Sequence, residues 1–154
     1  MRLRPMTSAE FAMWLPKLMA GYAAEIAASG SMPLAAAEAK AEQDTERYFH
    51  DGSAAAGQFV FRVVDGDVPV GWLWLGAPGP NPDPQMAWIF DVEIDDAFRG
   101  RGYGRAAMRL AEDEARARGM TSLGLNVHGQ NTVARSLYDS LGYQAMSLQL
   151  KKPL

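Results

Sequence analysis

The chain has no cysteine among its 154 residues. Disulfides, thiolate metal sites and a cysteine nucleophile are therefore excluded, and the composition is compatible with a reducing compartment. The sequence also lacks any stretch near the roughly 20 apolar residues of a membrane span, and its start lacks the apolar core of a signal peptide. We therefore expect a soluble cytoplasmic protein that has no membrane partner.

Positive charge is not in excess either. The 15 lysines and arginines stand against 18 aspartates and glutamates, which gives a formal net charge of −3. Such a chain lacks the basic footprint of a nucleic-acid-binding protein, so no nucleic-acid partner is expected. Apolar residues make up 48% and charged residues 21%, as in ordinary globular proteins, and the length favours a single domain over residues 1–154.

The first part of the chain begins with a helical pattern. A short strand is predicted at residues 2–5, and Thr7 with Glu10 three residues later is the pattern of a capping box, which starts a helix. Pro16 lies inside the apolar periodicity of this helix and predicts either a kink or two shorter helices. A break in the helical pattern follows at residues 29–31.

Strand patterns follow a second helix that is rich in alanine and glutamate. Two runs that alternate with period two, joined by Asp65-Gly66-Asp67, are typical of an antiparallel hairpin. The predicted elements are, in order, the helix from Leu34 to about Phe49, a loop at residues 50–57, a strand from Gln58, its partner at Val70–Leu75 and a loop at Gly76–Gln85.

The second part of the chain alternates strands and helices. It predicts a strand at Met86–Ile94, a helix from Gly102 to about Arg118, a strand at Leu123–Val127, a helix at Asn131–Leu141 and a final strand at Tyr143–Leu150. Together with the first part, this order describes an α/β (α+β) fold, in which helices cover both sides of a mixed, mostly antiparallel sheet.

A turn rich in glycine and arginine joins the strand at Met86–Ile94 to the next helix. Gly102 and Gly104 lack Cβ atoms, so backbone N–H groups can surround a ligand there, next to the unpaired donors and positive dipole end of the helix. The turn is therefore predicted to bind an anion, although a glycine pair before a helix is a weak signal by itself. Positive charge around the turn comes from Arg99, Arg101 and Arg105.

Two motifs in this part of the chain carry a resemblance to a known family. Arg99-Gly100-Arg101-Gly102-Tyr103-Gly104 matches a Q/R-x-x-G-x-G/A turn between a strand and a helix. The run from Asn126 to Tyr138, followed by Leu141-Gly142-Tyr143, matches an asparagine, then A-x-x-L-Y, then L-G-F/Y. In this order and spacing the sequence resembles the GCN5-related N-acetyltransferase (GNAT) superfamily, whose members transfer an acetyl group from acetyl-CoA to an amine.

The resemblance implies a site for acetyl-CoA as co-substrate and no metal. In such enzymes the central strand splays from its neighbour at a bulge and pairs with the pantetheine arm, a role that falls to Val92, Glu93 and Ile94. Asn131 would hold the pantetheine or the phosphate side of the cofactor, or cap its helix. The pyrophosphate would lie on the backbone of Arg99, Gly100, Arg101, Gly102, Tyr103, Gly104 and Arg105.

Acetyl transfer to an amine involves proton transfers, because the amine must lose a proton and the CoA thiolate takes one up. Tyr138 matches the family's usual acid and would also contact the cofactor, although its place on an apolar helix face fits a core tyrosine. Glu93 is the predicted base, acting directly or through water, and Asp91 shares its face of the strand. The alternative for both carboxylates is to bind the substrate amine or to face solvent.

Two further residues bear on the choice of base. His128 has a suitable intrinsic pKa, but a lone loop histidine is more typical of polar surface. Members of the superfamily that act on protein N-termini often have a glutamate where this chain has Asn126, so their base is not carried over.

The implied function is an acetyl-CoA-dependent N-acetyltransferase that modifies a primary amine by direct transfer in a ternary complex. A non-catalytic acyl-CoA-binding sensor or interaction module of the same fold is the alternative. Small amines, antibiotics, amino acids and protein N-termini all stay open as acceptors. Homodimers are common in the superfamily, so a homodimer is one expected state.

Overall fold

A five-stranded sheet forms the centre of the computed structural model, which describes residues 1–80 and 82–154. In space the strands of this sheet follow the order β1-β4-β5-β6-β7, and only β6 and β7 are parallel neighbours. The elements in chain order are β1 (Arg2–Pro5), α1 (Ser8–Ala28), α2 (Leu34–Glu46), β2 (Phe49–His50), β3 (Ser53–Ala54), β4 (Gln58–Asp65), β5 (Val68–Gly76), β6 (Met86–Ile94), α3 (Tyr103–Ala117), β7 (Ser122–Leu125) and α4 (Thr132–Ser140).

Helices cover both faces of this sheet, as the sequence predicts. Because strand side chains alternate, Val63 and Leu73 pack with α3 on one face, whereas Val60 and Trp74 pack with α1 on the other. The strand pairings also confirm the predicted mixed, mostly antiparallel sheet. The small and flexible side chains that α3 buries against the sheet are Ala107, Met108, Ala111 and Ala115.

The first helix begins at the predicted capping box. The Thr7 hydroxyl accepts from the backbone N–H of Glu10, and the Glu10 carboxylate accepts from the N–H of Thr7. α1 then continues through Pro16, so the alternative of two shorter helices is wrong. Buried side chains on both sides of the proline, Trp14 and Ala23, hold the two halves of the helix to the body of the protein.

The second helix is shorter than predicted, and the loop after it is not wholly irregular. α2 ends at Glu46, and Phe49 belongs instead to β2, which pairs with β3 in a small separate hairpin. The turn between them is Asp51-Gly52, where both residues have positive φ angles of 51° and 73°. Asp-Gly is a preferred pair for such a two-residue turn, so this local signal was present in the sequence.

The large hairpin confirms the period-two pattern. β4 and β5 pair antiparallel from Gln58↔Gly76 to Asp65↔Val68 around the predicted turn. The predicted loop at Gly76–Gln85 begins one residue later than expected, because Gly76 is still part of β5, and Asn81 lies outside the described residues.

The predicted final strand at Tyr143–Leu150 is wrong. In the described chain these residues belong to no strand, and Met146, Leu148 and Leu150 are 79%, 79% and 90% exposed. A period-two apolar pattern forms a strand only where a neighbouring edge supplies backbone hydrogen bonds. The strands β6 and β7 and the helices α3 and α4 agree with prediction to within about two residues at each end.

None of the helices in the two described ranges combines the length and hydropathy that crossing a bilayer requires.

Candidate active site

One extra residue in β6 creates a bulge. Along the β5–β6 ladder, Leu75 pairs with Ile89 while the preceding Trp74 pairs with Asp91, so Phe90 has no partner on β5. Such a bulge shifts every later side chain to the opposite face of the sheet. Phe90 itself packs against the aromatic cluster on the α1 side and stacks on Trp74, with 4.4 Å between ring centroids.

The bulge decides which way the acidic residues of β6 point. Ile89 packs on the α3 face, and beyond the bulge Val92 and Ile94 face that same side. Asp91 and Glu93 therefore face α1. In register Asp91 lies opposite Trp74 and Glu93 opposite Trp72, and both tryptophans pack in the cluster of the α1 side. A regular strand would have placed Asp91 on the α3 face.

β6 and β7 separate beyond the bulge. Their parallel ladder ends at Ile89↔Leu125, whereas β6 continues to Ile94. In the described part of the chain, the segment Phe90–Ile94 thus has a strand neighbour only on its β5 side. This is the splayed arrangement that the resemblance implied, and it leaves the far side of this backbone segment without a strand partner, as an added extended ligand would require. The pantetheine contacts of Val92, Glu93 and Ile94 stay predictions.

The glycine turn has the geometry that an anion requires. Gly100 and Gly102 have φ angles of 73° and 85°, and a Cβ atom on either would meet no other atom within 4 Å. Ala106 donates to the Gly102 carbonyl over 3.1 Å in the first turn of α3. The N–H groups of the three residues before Ala106 therefore have no partner within the helix.

The three arginines of the turn have different surroundings. Arg99 lies in ion pairs with Glu93 and Asp96, at 3.2 and 2.8 Å, so its charge is largely compensated. The Arg105 guanidinium donates to Ser140 Oγ over 2.7 Å and thereby connects α3 to α4. Arg101 packs over the ring of Phe98 at 5.9 Å from its centroid. Neither Arg101 nor Arg105 has a carboxylate partner within the described ranges, so both leave positive charge at the turn.

The remaining two predicted cofactor residues of the turn have structural contacts as well. Tyr103 donates its hydroxyl to Asp65 Oδ2 over 2.8 Å, which joins the start of α3 to the end of β4. Gly104 lies against α4, because a Cβ atom there would come within 3.4 Å of the Leu137 side chain. Larger residues at 104 would push α4 away from the turn.

Tyr138 lies half-buried on α4 beside Tyr143, with 5.7 Å between the ring centroids. Burial raises the pKa of its hydroxyl, and the negative charge of Asp91 raises it further. Its hydroxyl has no hydrogen-bond partner among the residues that the structure describes. A tyrosine in this state keeps its proton at neutral pH and has it free to donate.

Asn131 caps α4. Its Oδ1 accepts from the backbone N–H of Ala134 over 3.1 Å, so the capping role that the sequence left open is confirmed, while its cofactor role stays a prediction. His128, in the loop before α4, places Nε2 at 3.3 Å from Glu25 Oε2 of α1. This pair connects α1 to the loop before α4.

The two carboxylates of β6 both resist ionisation. Burial is the largest cause that raises the pKa of Asp91, Glu25 adds to it, and the hydrogen bond from Trp72 Nε1 to Asp91 Oδ2, at 2.5 Å, lowers it. Burial also raises the pKa of Glu93, as does the charge of Asp91, whereas Arg99 lowers it. Raised pKa values in one cleft are typical of groups that exchange protons.

Sequence reasoning assigned no role to Glu25 and no polar role to Trp72. The contact between Glu25 and His128 joins residues far apart in the chain, so no local pattern could indicate it. The Trp72 contact depends on the bulge at Phe90, which has no sequence signature. Across the described residues, no group of three or more histidine, aspartate or glutamate side chains could hold a metal ion.

Known proteins are similar to this chain in both sequence and fold. The family model "Acetyltransferase (GNAT) family" matches residues 25–143. The uncharacterized N-acetyltransferase YdgE of Bacillus subtilis is 29% identical over 153 residues, which cover 99% of this chain and 97% of that protein. The crystal structure of the putative acetyltransferase YycN of Bacillus subtilis has a TM-score of 0.88 at 28% identity, with 99% of this chain and 97% of that chain covered.

A more distant relative has a named acceptor. The ribosomal protein bS18-alanine N-acetyltransferase of Escherichia coli (strain K12) is 33% identical over 63 residues, which cover 41% of this chain and 43% of that protein. Together with the bulged strand, the separated β6 and β7 and the glycine turn, these similarities define the class. The chain belongs to the acetyltransferase (GNAT) family and is an N-acetyltransferase.

Proposed function

We propose that the protein transfers the acetyl group of acetyl-CoA to a primary amine by direct transfer in a ternary complex. The observation that supports this most is the opening between β6 and β7, which has the glycine turn at one end and Tyr138 and Asp91 at the other. An extended ligand in this opening would have its anionic end at the turn and its reactive end between an acid and carboxylates. The absence of cysteine from the sequence favours direct transfer, because a cysteine acyl-enzyme is excluded.

The residues fit acetyl-CoA as co-substrate. The free N–H groups at the start of α3, together with Arg101 and Arg105, would hold the pyrophosphate, and the open edge of Val92, Glu93 and Ile94 would hold the pantetheine. Acetyl-CoA supplies the activated acetyl group. The protein's own contribution is to orient the amine, accept its proton on a carboxylate of β6 and donate a proton from Tyr138 to the leaving sulfur. The sequence predicts Glu93 as the accepting carboxylate.

The acceptor enters from the α1 side, where the charges are negative. Glu25, Asp91 and Glu93 all lie there, so a cationic amine is attracted and oriented before it reacts. The relative that acts on an alanine of ribosomal protein bS18 makes a protein amine one candidate acceptor. Small amines stay candidates as well, because Asn126 stands where enzymes for protein N-termini often have a glutamate.

An amine screen tests this proposal. Purified protein is mixed with acetyl-CoA and a panel of aliphatic diamines, amino acids, aminoglycosides and a peptide with an N-terminal alanine, and release of the CoA thiol is measured. We expect thiol release with at least one amine and an acetylated product of matching amount. Binding of acetyl-CoA without thiol release from any amine would favour the acyl-CoA sensor instead, and absence of binding would contradict both functions.

Self-association is part of the proposal. The carboxyl-terminal segment carries the exposed apolar residues Met146, Leu148 and Leu150, and in this proposal a second copy covers them. Sedimentation should show a dimer, and a double variant with Leu148→Glu and Leu150→Glu should shift it to monomer. A monomer at all concentrations would contradict the dimer, and a dimer unaffected by the two substitutions would place the interface elsewhere. The cytoplasmic location expected from the sequence stays a prediction.

A further inference from the structure

The two carboxylates on the α1 side of β6 differ in their partners. Glu93 forms an ion pair with Arg99 at 3.2 Å, and its side chain is 44% exposed. Asp91 has no cationic partner among the described residues. Its side-chain partner is the indole N–H of Trp72, which donates to Oδ2 over 2.5 Å, and the backbone N–H of Val92 also donates to its carboxylate. Glu93 thus has a counter-ion, whereas both donors to Asp91 are neutral.

Asp91 is also the carboxylate that is electrostatically linked to the predicted acid. Its charge raises the pKa of Tyr138, whereas Glu93 has no comparable effect on that hydroxyl. The two groups that would exchange protons with the reacting atoms are therefore Asp91 on β6 and Tyr138 on α4, which are close enough for the charge of Asp91 to act on the Tyr138 hydroxyl. The geometry of the bulge at Phe90 produces this arrangement.

Acidic groups from several elements surround Asp91. The ionisable groups that interact electrostatically with it are Glu25 of α1, Glu93 of β6 itself and Tyr138 of α4, and β5 contributes the neutral indole of Trp72. His128 lies behind Glu25 and partly compensates its charge when protonated. These neighbours would hold an ammonium group beside Asp91 and would make Asp91 more basic than a carboxylate in water.

We propose that Asp91, and not Glu93, accepts the proton of the acceptor amine, and that Trp72 is the positioning residue that fixes its carboxylate. This inference rests on the proposed function. The ammonium gives one proton to Asp91, and the freed lone pair of nitrogen forms the bond to the acetyl carbon. The carbon–sulfur bond breaks and sulfur leaves with its electron pair. Nitrogen then loses its second proton to water, and sulfur takes a proton from the Tyr138 hydroxyl. Both side chains afterwards return to their first state by exchange with water.

The direct test compares Asp91→Asn with the wild-type protein over a range of pH. The amine is the one that gives the fastest thiol release in the screen, and acetyl-CoA is the donor. We expect kcat/KM at neutral pH to fall roughly 100-fold or more. The wild-type profile should rise and then level off, whereas Asp91→Asn should rise in proportion to the fraction of neutral amine and level off only near the pKa of the amine. The asparagine still accepts from Trp72, so the variant is expected to fold and to bind acetyl-CoA.

Glu93→Gln is the matched comparison on the same face of the same strand. The substitution removes a like charge beside Asp91, so the acidic limb of the pH profile should move to lower pH and still level off. The opposite result would overturn the inference and make Glu93 the base. In that case the rate of Glu93→Gln would follow the fraction of neutral amine, whereas Asp91→Asn would keep the wild-type plateau with an activity within about threefold of wild type.

Trp72→Phe tests the positioning role. Phenylalanine keeps most of the buried ring and removes the N–H that stabilises the ionised carboxylate, so the acidic limb should move to higher pH. The limb should stay in place in Trp74→Phe, which removes an indole N–H that donates to Gln58 at 2.8 Å and not to Asp91. If the acidic limb of the pH profile of Trp72→Phe lies at the wild-type pH, the positioning role of Trp72 is overturned.

Failure of the proposed function is distinguishable from failure of this inference. A wild-type protein that binds acetyl-CoA and acetylates none of the amines overturns both. A wild-type protein that acetylates an amine, with Asp91→Asn as active as wild type across the pH range, overturns the inference alone. Acetyl-CoA affinity, measured by calorimetry for each variant, separates a chemical defect from a binding defect.

Discussion

At the scale of single residues, Tyr138 is the side chain whose role the structure makes most testable. Burial and the charge of Asp91 both raise its hydroxyl pKa, so it keeps its proton across the neutral range and no basic limb from Tyr138 is expected there. Tyr138→Phe should lower kcat roughly 100-fold while the affinity for acetyl-CoA changes little. Steady-state kinetics and calorimetry would measure the two effects.

Tyr143→Phe is the control for that substitution. The same hydroxyl is removed from a neighbouring ring, and in Tyr143 it is buried without a hydrogen-bond partner in the described chain. Turnover should stay at the wild-type value, and stability should not fall, because an unsatisfied polar atom disappears. Equal loss of turnover in both variants would show that packing of α4, and not proton donation, is what Tyr138 provides.

Gly102 allows backbone strain to be separated from ligand binding. At a φ angle of 85°, an alanine would cost about 1–2 kcal/mol of stability and would place a methyl group in the open space of the turn. Gly119, at the end of α3, has a φ angle of 78° and equally open surroundings. Both alanine variants should lose similar stability in urea unfolding, but only Gly102→Ala should lose acetyl-CoA affinity, by about tenfold or more. Equal affinities in the two variants would contradict an anion site at the turn.

The sequence predicts a site residue when the contacts that define its role lie close to it in the chain. The glycines of the turn and the helix cap at Asn131 are set by their own backbone, so motif and capping rules indicate them. The environment of Asp91 comes from α1, β5 and α4 together. Sequence spacing correctly placed Asp91 and Glu93 on one face, but it could not say which face, or that Arg99 is the partner of Glu93.

At the scale of elements, the capping box of α1 makes a prediction about pH. The hydrogen bonds from Arg4 hold the pKa of Glu10 at about 2, below its ordinary value of 4.5, and Thr7 contributes to the same effect. The stability that this carboxylate contributes is therefore fully present above about pH 4.5 and is lost as the pH falls through 2. Glu10→Gln should be less stable than wild type at pH 7, and the difference should shrink towards pH 2 in urea unfolding.

An exposed ion pair serves as the comparison. Asp113→Asn removes the partner of Arg116 at 2.8 Å, where the side chains are 71% and 65% exposed, and should change stability by less than about 0.5 kcal/mol. Thr7→Ala, which removes the other half of the capping box, should cost roughly 0.5–2 kcal/mol. An Asp113→Asn variant that loses as much as Glu10→Gln would contradict a special contribution from the capping box.

The sequence predicts the boundary of an element where a single local residue type sets it. Local residues set the Asp-Gly turns, the Thr7–Glu10 capping box and the start of α3. Each of these boundaries therefore has a signal in the sequence. The bulge at Phe90 is different, because β5 and β6 fix it through their pairing and their packing on both faces. The segment from Tyr143 to Leu150 shows the reverse case, in which a strand-like pattern is paired with no strand although β7 has a free outer edge.

At the scale of the whole molecule, acetyl-CoA should stabilise the protein. The proposed contacts join α3, α4 and β6, which the unfolded chain does not hold together, so the ligand binds only the folded state. At a concentration of 100 times its dissociation constant, acetyl-CoA should add about 2.7 kcal/mol to the free energy of unfolding. Gly102→Ala should show a smaller shift in melting temperature than Gly119→Ala at the same acetyl-CoA concentration. Equal shifts would contradict the placement of the ligand.

The central claim is direct acetyl transfer from acetyl-CoA to an amine. The measurement that tests it most directly is intact-protein mass spectrometry combined with thiol detection, with acetyl-CoA alone and then with the most active amine added. We predict no acetylated protein and little thiol release without amine, and one CoA thiol for each acetylated amine once it is present. A protein that gains an acetyl group without amine and passes it on when amine is added would contradict direct transfer.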